Sequence, residues 1–295
     1  MAQAARGGGA VTEPGPPRLA LAVPHTPWVP ARVEHLRGLL ASLDCERHGV
    51  PVHVYTERAS HVQWSGAVWS WLLASGAEWC VVFNDDVEVC PDFFDILRTQ
   101  LSVIEPLGAQ VLGLSSVHPG QVDVARQGHR WYHTRSWLVG WAYAIKRDAM
   151  AEFLAWRETV PERVASSTED HLINCWVTET ERVTWHSVPA LVDHCTDLQS
   201  NYGNDTHVMR RPWVRWTDFA RESLTDPGFW RPSGPPPFYP VPVSFTCWGC
   251  LERAPVIRTT AGVRLCGQCI GSLAYGLLER ITGVSAGGEP SQGGQ

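Results

Sequence analysis

Two adjacent carboxylates, Asp85 and Asp86, follow the apolar run Trp79-Cys80-Val81-Val82-Phe83 with only Asn84 between. Such a run suits a strand buried on both faces, as in a parallel sheet. In open α/β sheets ligands sit beyond the carboxyl ends of the strands, which is where these two side chains fall. Vicinal carboxylates repel, so keeping both ionised calls for a compensating cation. Oxygen ligands favour Mg²⁺ or Mn²⁺, ions that take one or two protein carboxylates beside substrate phosphates. The pattern points to a metal–diphosphate site. The competing reading is a plain turn, in which Asn and Asp side chains bond nearby backbone amides.

Three other groups could do chemistry. Cys247-x2-Cys250 and Cys266-x2-Cys269 are separated by fifteen residues, the spacing of a four-thiolate zinc ribbon or knuckle. Four thiolates close the tetrahedron, so the expected zinc is structural, and it supplies most of the folding free energy of so small a module. Ser167-Thr168-Glu169-Asp170 opens a helical stretch. It reads either as a helix cap with acids at the positive helix end or as a catalytic carboxylate that deprotonates a hydroxyl. Leu191-Val192-Asp193-His194 carries a short apolar run to a histidine at the start of a polar loop.

The elements that must position these groups alternate. Strands are expected at 18–23, 52–55, 79–84, 110–114, 137–145 and 183–187. Helices are expected at 31–43, from a Ser65 cap through Leu73, from Pro91 through Leu101, from Arg147, and at 169–178. This alternation predicts an α/β fold, a mainly parallel Rossmann-like sheet with helices on both faces. Residues 115–135, with His118, His129, His133 and Trp131, lack a period and are expected to form an active-site loop. The expected organisation is a disordered segment at 1–17, a catalytic domain at 18–210, a Pro-rich linker at 211–243, a four-cysteine zinc module at 244–283 and a disordered tail at 284–295.

The 295 residues carry a net charge of −6, unevenly spread. From 210 onward nine Arg face six acids, about +3, which leaves about −9 for the first 209 residues. Lys146 is the single lysine among 24 basic residues. No apolar run reaches the ~18 residues that span a bilayer, and Met1 to Pro17 lacks the apolar stretch of a signal peptide. A cytoplasmic protein with no membrane partner is the expectation. Cys45, Cys80, Cys90, Cys175 and Cys195 follow no regular spacing and are expected to be free thiols.

The order strand–Asn84-Asp85-Asp86–Val87, then Gly140-Trp141-Ala142-Tyr143-Ala144-Ile145, then Glu169-Asp170-His171-Leu172, then Pro189-x-Leu191-Val192-x-His194 resembles metal-dependent glycosyltransferases of the GT-A fold, over roughly residues 18–205. The resemblance implies Mn²⁺ or Mg²⁺ on Asp86 and His194, held against the diphosphate of a nucleotide-sugar donor, with a UDP-sugar the first choice. It implies Asn84 and Asp85 near the ribose or sugar, and nucleotide contacts from Pro24, His25, Thr26 and Glu57. Gly140 and Trp141 would shape the sugar and acceptor pocket. Asp170, with Glu169 beside it, would be the acceptor-side base. The chain departs from the pattern in having Asn at the first motif position and no Gly-rich phosphate loop.

A zinc module more basic than the catalytic part suggests a polyanionic acceptor. One concrete acceptor is DNA bearing 5-hydroxymethylpyrimidine, as modified by bacteriophage glycosyltransferases, with the target base exposed or flipped. A saccharide, protein or small-molecule hydroxyl is the alternative. A Mg²⁺-dependent nucleotidyltransferase and a non-catalytic zinc-ribbon nucleic-acid-binding protein are the rivals from other classes.

Overall fold

The computed structural model describes residues 15–239 apart from 60, 117, 119, 136, 137, 139, 141, 166, 167, 196, 197, 199–211 and 213. Beyond 239 it describes only the strand backbones at 245–246, 253–254, 256–258 and 264–266.

A seven-stranded mixed sheet forms the centre. Its strands are β1 (Leu19–Pro24), β2 (Val52–Tyr55), β3 (Trp79–Phe83), β5 (Val111–Gly113), β6 (Trp131–Thr134), β7 (Ala142–Lys146) and β8 (Thr184–Ser187), in the spatial order β2-β1-β3-β7-β5-β8-β6. The pairings β1–β2, β1–β3 and β5–β8 are parallel, while β7 and the edge strand β6 run antiparallel to their neighbours. Five of the seven strands therefore point one way, as the alternating pattern predicts. The remaining strands β4 (Val87–Val89) and β9 (Val192–His194) form a separate antiparallel ladder.

The two-residue period of the strands divides the interior into two cores. Leu19, Leu21 and Val23 of β1 join Trp79, Val81 and Phe83 of β3 on one face, against α1 (Pro30–Leu43) and α3 (Phe93–Ile104). The intervening Ala20, Ala22, Cys80 and Val82 face α2 (His61–Ala74), α5 (Arg147–Arg157) and α7 (Glu169–Glu179). All five residues of β3 are buried. Its unbroken apolar run is thus explained by coverage on both faces.

Several expectations need correction. Helix α2 begins at His61, so Ser65 lies inside it, buried, and is no cap. Helix α3 starts at Phe93, behind a left-handed Asp92, and not at Pro91. The strand expected at 137–145 starts at Ala142, after a turn at Gly140. The segment 115–135 is not a loop throughout: it holds α4 (Gly120–Arg126) and edge strand β6. Both faces of β6 are covered. Trp131 packs on Trp185 and Trp230 while Tyr132 stacks on His186, so no polar–apolar contrast marks the strand in sequence.

The stretch 211–243, expected as a linker, is packed over much of its described length. It contains a 3-10 turn at Trp216–Asp218, α8 (Arg221–Thr225) and α9 (Pro227–Trp230), in order after α6 (Glu162–Ala165) and α7. Trp230 is fully buried; its indole N–H donates to the Leu224 carbonyl at 2.8 Å, and Trp131 donates to the Trp230 carbonyl at 2.6 Å. The extended part, Pro237 to Tyr239, hydrogen-bonds along His133 of β6.

Cys45, Cys80, Cys90, Cys175 and Cys195 are free thiols, all buried but Cys45. Among the described residues no helix is long and apolar enough to cross a membrane. Farther on, Phe245–Thr246 pairs with Arg253–Ala254 and Val256–Arg258 pairs with Arg264–Cys266, both antiparallel.

Candidate active site

Strand β3 delivers Asp85 and Asp86 to the carboxyl edge of the sheet, where both are buried. Three surrounding segments converge on them. The chain leaving β1 brings His25, whose Nδ1–H donates to Asp85 Oδ2 at 2.8 Å, and Thr26, whose backbone N–H donates to the same oxygen at 2.8 Å. The first turn of α1 brings Arg32, 2% exposed, whose guanidinium donates to Asp85 Oδ1 and, at 2.6 Å, to Asp86 Oδ2. The β4–β9 ladder pairs Val87 with His194, which sets His194 Nε2 3.4 Å from Asp86 Oδ2. A backbone bond from Cys195 N–H to the Asp86 carbonyl, 2.8 Å, closes this corner.

Three of the four carboxylate oxygens are thus engaged by the chain's own donors. The fourth, Asp86 Oδ1, is buried with no hydrogen-bond partner among the described residues. Burial pushes the Asp86 carboxyl up, but the hydrogen bond and charge of His194 and the guanidinium of Arg32 outweigh it and hold the group below the usual carboxylate range. Next to His194, Asp193 is 1% exposed and is paired with Arg215 Nη2 at 2.5 Å. The corner therefore holds three carboxylates and two guanidinium groups.

A second acidic pair opens α7. Asp170 Oδ1 accepts from Thr168 Oγ1 at 2.6 Å and from the His171 backbone N–H at 2.8 Å. Glu169 is 4% exposed, and burial together with the charge of Asp170 pushes its carboxyl up to about 8. The backbone at Gly140 lies directly on this pair: a Cβ there would stand 3.2 Å from Glu169 Oε1 and 3.3 Å from Asp170 Cγ. The two acidic corners share one edge of the sheet. In the β3–β7 ladder Phe83 faces Ala142, so Asp85 lies two residues past the end of β3 and Gly140 two residues before the start of β7.

Other expected site residues are distributed along the same edge. Pro24 ends β1 opposite Tyr55 of β2, and Glu57 is exposed just beyond, within 3.4 Å of the Tyr55 hydroxyl. Asn84 is half-buried. His25 is turned toward Asp85 with a side chain 6% exposed, and Asp85 is turned into the protein, so both brace the corner. Trp141 and three cysteines of the expected zinc ribbon, Cys247, Cys250 and Cys269, lie outside the described residues. For Cys266 only the backbone is described, in the strand facing Val256.

Sequence reasoning missed Arg32, Arg215 and an exposed indole at the rim, Trp28, which is 47% exposed beneath Arg58 at 4.7 Å. One signal for Arg32 was present. A basic residue in the first turn of a helix opposes the helix dipole, an arrangement that asks for a carboxylate partner. The donors also answer whether a hard divalent cation fits. Asp86 Oδ1 offers one open oxygen and His194 one imidazole; among the described residues no group of three or more His, Cys, Asp or Glu could hold a metal. That is a fit only if a ligand supplies the remaining oxygens, which is how Mg²⁺ is often held.

No protein-family model matches the chain, and no curated protein matches it. Solved structures with related arrangements include A197 from STIV, with TM-score 0.38 and 11% identity over 60% of this chain and 85% of that one. A glycosyltransferase involved in glycosylation of the major capsid of PBCV-1 has TM-score 0.28 and 13% identity over 50% and 69%. CMP:2-keto-3-deoxy-manno-octonic acid synthetase complexed with CTP has TM-score 0.34 and 12% identity over 57% and 88%. Similarities at this level carry no argument about substrate or reaction, which rest on the site itself.

Proposed function

We propose that this protein is a glycosyltransferase that moves a sugar from a nucleoside diphosphate sugar to a hydroxyl acceptor. The observation that carries the reading is the meeting, on one sheet edge, of the Asp86–His194 corner with the Glu169–Asp170 pair under Gly140. These groups come from four separate stretches of chain, and a cap or a turn would need none of the others.

In this reading Asp86 and His194 would hold a Mn²⁺ or Mg²⁺ ion together with oxygens of the donor, and the ion would neutralise charge on the leaving diphosphate. Arg32, His25 and Thr26 fix the two aspartates so that the open oxygen does not wander. Trp28 offers the nucleobase a flat face at the rim, and Glu57 and Asn84 lie where a ribose would follow. Asp170 takes the proton of the acceptor hydroxyl on Oδ2, since Oδ1 already accepts two hydrogen bonds. Glu169, neutral at pH 7 with its carboxyl near 8, holds a proton beside the base and keeps a second negative charge out of the pocket. Holding donor and acceptor together in one cleft supplies much of the rate.

For the acceptor, the zinc-ribbon spacing with Arg253, Arg258 and Arg264 around it favours DNA bearing 5-hydroxymethylpyrimidine as the first candidate. The test incubates the zinc-loaded protein with Mn²⁺, mixed UDP-sugars and DNA containing 5-hydroxymethylcytosine. Released UDP and nucleoside masses are then measured. A sugar increment on the nucleoside, lost with EDTA, is expected. UDP release without an increment would move the acceptor to a saccharide, protein or small molecule. Pyrophosphate release from nucleoside triphosphates would replace the reading by a nucleotidyltransferase.

A further inference from the structure

We propose that the groove between α1 and β4 binds an extended, basic peptide segment of a partner protein, which adds a strand to the free edge of β4. The inference does not depend on the transfer reading above.

The register of the β4–β9 ladder shows which backbone groups are free. In an antiparallel pair alternate residues turn their N–H and C=O toward the partner strand. The Asp86 carbonyl accepts from the Cys195 N–H at 2.8 Å, and the Cys90 N–H donates to the Leu191 carbonyl at 2.9 Å, with Glu88 opposite Asp193 between them. Val87 and Val89 therefore turn their backbone groups away from β9, toward α1. His35 marks that direction, since its Nε2–H donates to the Val87 carbonyl at 2.8 Å. The N–H and C=O of Val89 have no partner among the described residues. One donor and one acceptor on the same strand edge are what an added strand matches.

A cavity of about 650 Å³ lies along this edge. Its helical side runs from Ala31 through His35 and Gly38 to Ser42, about 16 Å at ~1.5 Å per residue. That length holds about five residues of extended chain at ~3.3 Å each. Leu39 and Trp216 supply apolar wall, and the buried Trp216 indole N–H has no acceptor among the described residues. Gly38 carries a separate signal. A glycine inside a helix weakens it relative to alanine, yet a Cβ at Gly38 would meet nothing within 4 Å. The fold itself does not need that space, whereas a second backbone coming close does. Charge selects the occupant. Glu34 and Glu88 stand exposed at the rim; Glu34 is paired with Arg37, while Glu88 has no ion pair among the described residues. A basic residue on the incoming peptide supplies the missing charge. A second copy of this chain would bring the same two carboxylates to the same groove, where like charges across a strand pair repel.

The experiment selects peptides from a phage-displayed random octapeptide library on the full-length protein. Synthetic copies of the selected peptides are then titrated by fluorescence anisotropy. They are expected to carry Arg or Lys beside an apolar residue. Gly38→Trp fills the groove from an exposed helix position and should weaken their binding by at least about 30-fold, as for loss of a central contact. Val89→Pro removes the free N–H at a strand edge, where proline is tolerated, and should weaken binding by about tenfold. Glu88→Gln should abolish the preference for basic residues. Bound peptide should slow amide exchange at Val89. Circular dichroism checks the fold of each variant; should Val89→Pro not fold, Gly38→Trp carries the test.

Failure to enrich any peptide would overturn the proposal, as would peptides that bind Gly38→Trp as tightly as the wild type. So would amide exchange at Val89 that stays unchanged when peptide binds. Two other occupants have signatures of their own, and either overturns it. A dimer in sedimentation that Gly38→Trp breaks would assign the groove to a second copy. Val89 exchange that is already slow without peptide, and faster in Gly38→Trp, would assign it to a segment of this chain.

Discussion

Arg32 and Asp85 stand 53 residues apart in sequence and form an ion pair whose side chains are 3% and 2% exposed. This pair ties the first turn of α1 to the end of β3. A buried pair of this kind adds little net stability, yet removing one partner strands the other charge. Arg32→Ala, which strands Asp85 and Asp86 together, should therefore cost about 3–5 kcal/mol, and Asp85→Ala should cost less, because Arg32 keeps Asp86 at 2.6 Å. The double variant should cost less than the sum, since once Arg32 is gone the loss of Asp85 removes one of the two stranded charges and leaves only Asp86, beside His194. Urea denaturation of the four proteins measures this, and additive costs would show that the pair is not the unit described.

Asp86 tests the site more than the fold. Asp86→Asn keeps an oxygen for Arg32 but loses the charge at the open position. Transfer activity should fall at least about 100-fold, as for removal of a preorganised charge-stabilising group, with the melting temperature lowered by the lost ion pair but the fold kept. The depressed Asp86 carboxyl also sets an acid limit. Its pairing contributes stability that is present above the unfolded value of 3.8 and lost as pH falls through the lower folded value. In Asp86→Asn that acid-side loss should shrink, and an unchanged acid profile would contradict the ion-pair geometry.

Glu169 has the opposite sign. Its folded carboxyl sits at about 8 against a reference of 4.5. Between those values the folded chain keeps a proton that the unfolded chain has released, so stability declines as pH rises through the window. The decline is at most about 1.4 kcal/mol per pH unit. Glu169→Gln should match the wild type near pH 4 and exceed it in stability at pH 8. Equal pH–stability profiles for the two proteins would rule out the buried, protonated state of Glu169.

Much of the frame was legible in the sequence, and the limits have physical causes. The run 79–83 told of a strand covered on both faces, and Leu36, Leu39 and Leu43 of α1 told of a helix with one buried stripe. The acidic strand end and His194 were readable as neighbours only through the family resemblance, which put one ion on both, and not from the pattern of the residues. What joins them is the three-residue ladder of Val87–Val89 with Val192–His194, too short to leave a pattern. Arg32 was hidden because a charged residue in an amphipathic helix reads as solvent-facing, and only the fold reveals that its position meets two carboxylates. Edge strand β6 was hidden because aromatic residues cover both its faces.

Trp230 decides how far the folded domain extends. It is fully buried, packs tilted at 5.6 Å on Trp131 and edge-to-face at 4.8 Å on Phe229, and ties α9 back to Leu224. A Pro-rich linker would tolerate its loss. Here Trp230→Ala should destabilise the catalytic domain by about 3–5 kcal/mol, as for other large core aromatics. Because Trp131 sits on the edge strand beside Trp185, the variant should also loosen β6, visible as faster amide exchange at Trp131 to Thr134. A cost below about 0.5 kcal/mol would return the segment to linker status.

The four-cysteine spacing makes the last prediction. Two Cys-x2-Cys hooks supply four thiolates, a closed tetrahedral set for zinc, and the chain should carry one zinc ion by elemental analysis. Each hook alone has too few ligands, so losing one cysteine should release the ion outright. Cys250→Ser should abolish zinc binding and unfold only the section that carries the hooks. The packing of Trp230 on Trp131 involves no residue beyond 239, so the catalytic domain should keep its melting temperature. Zinc retained by Cys250→Ser would mean that other ligands hold the ion. Global unfolding of that variant would mean that the zinc section braces the catalytic domain.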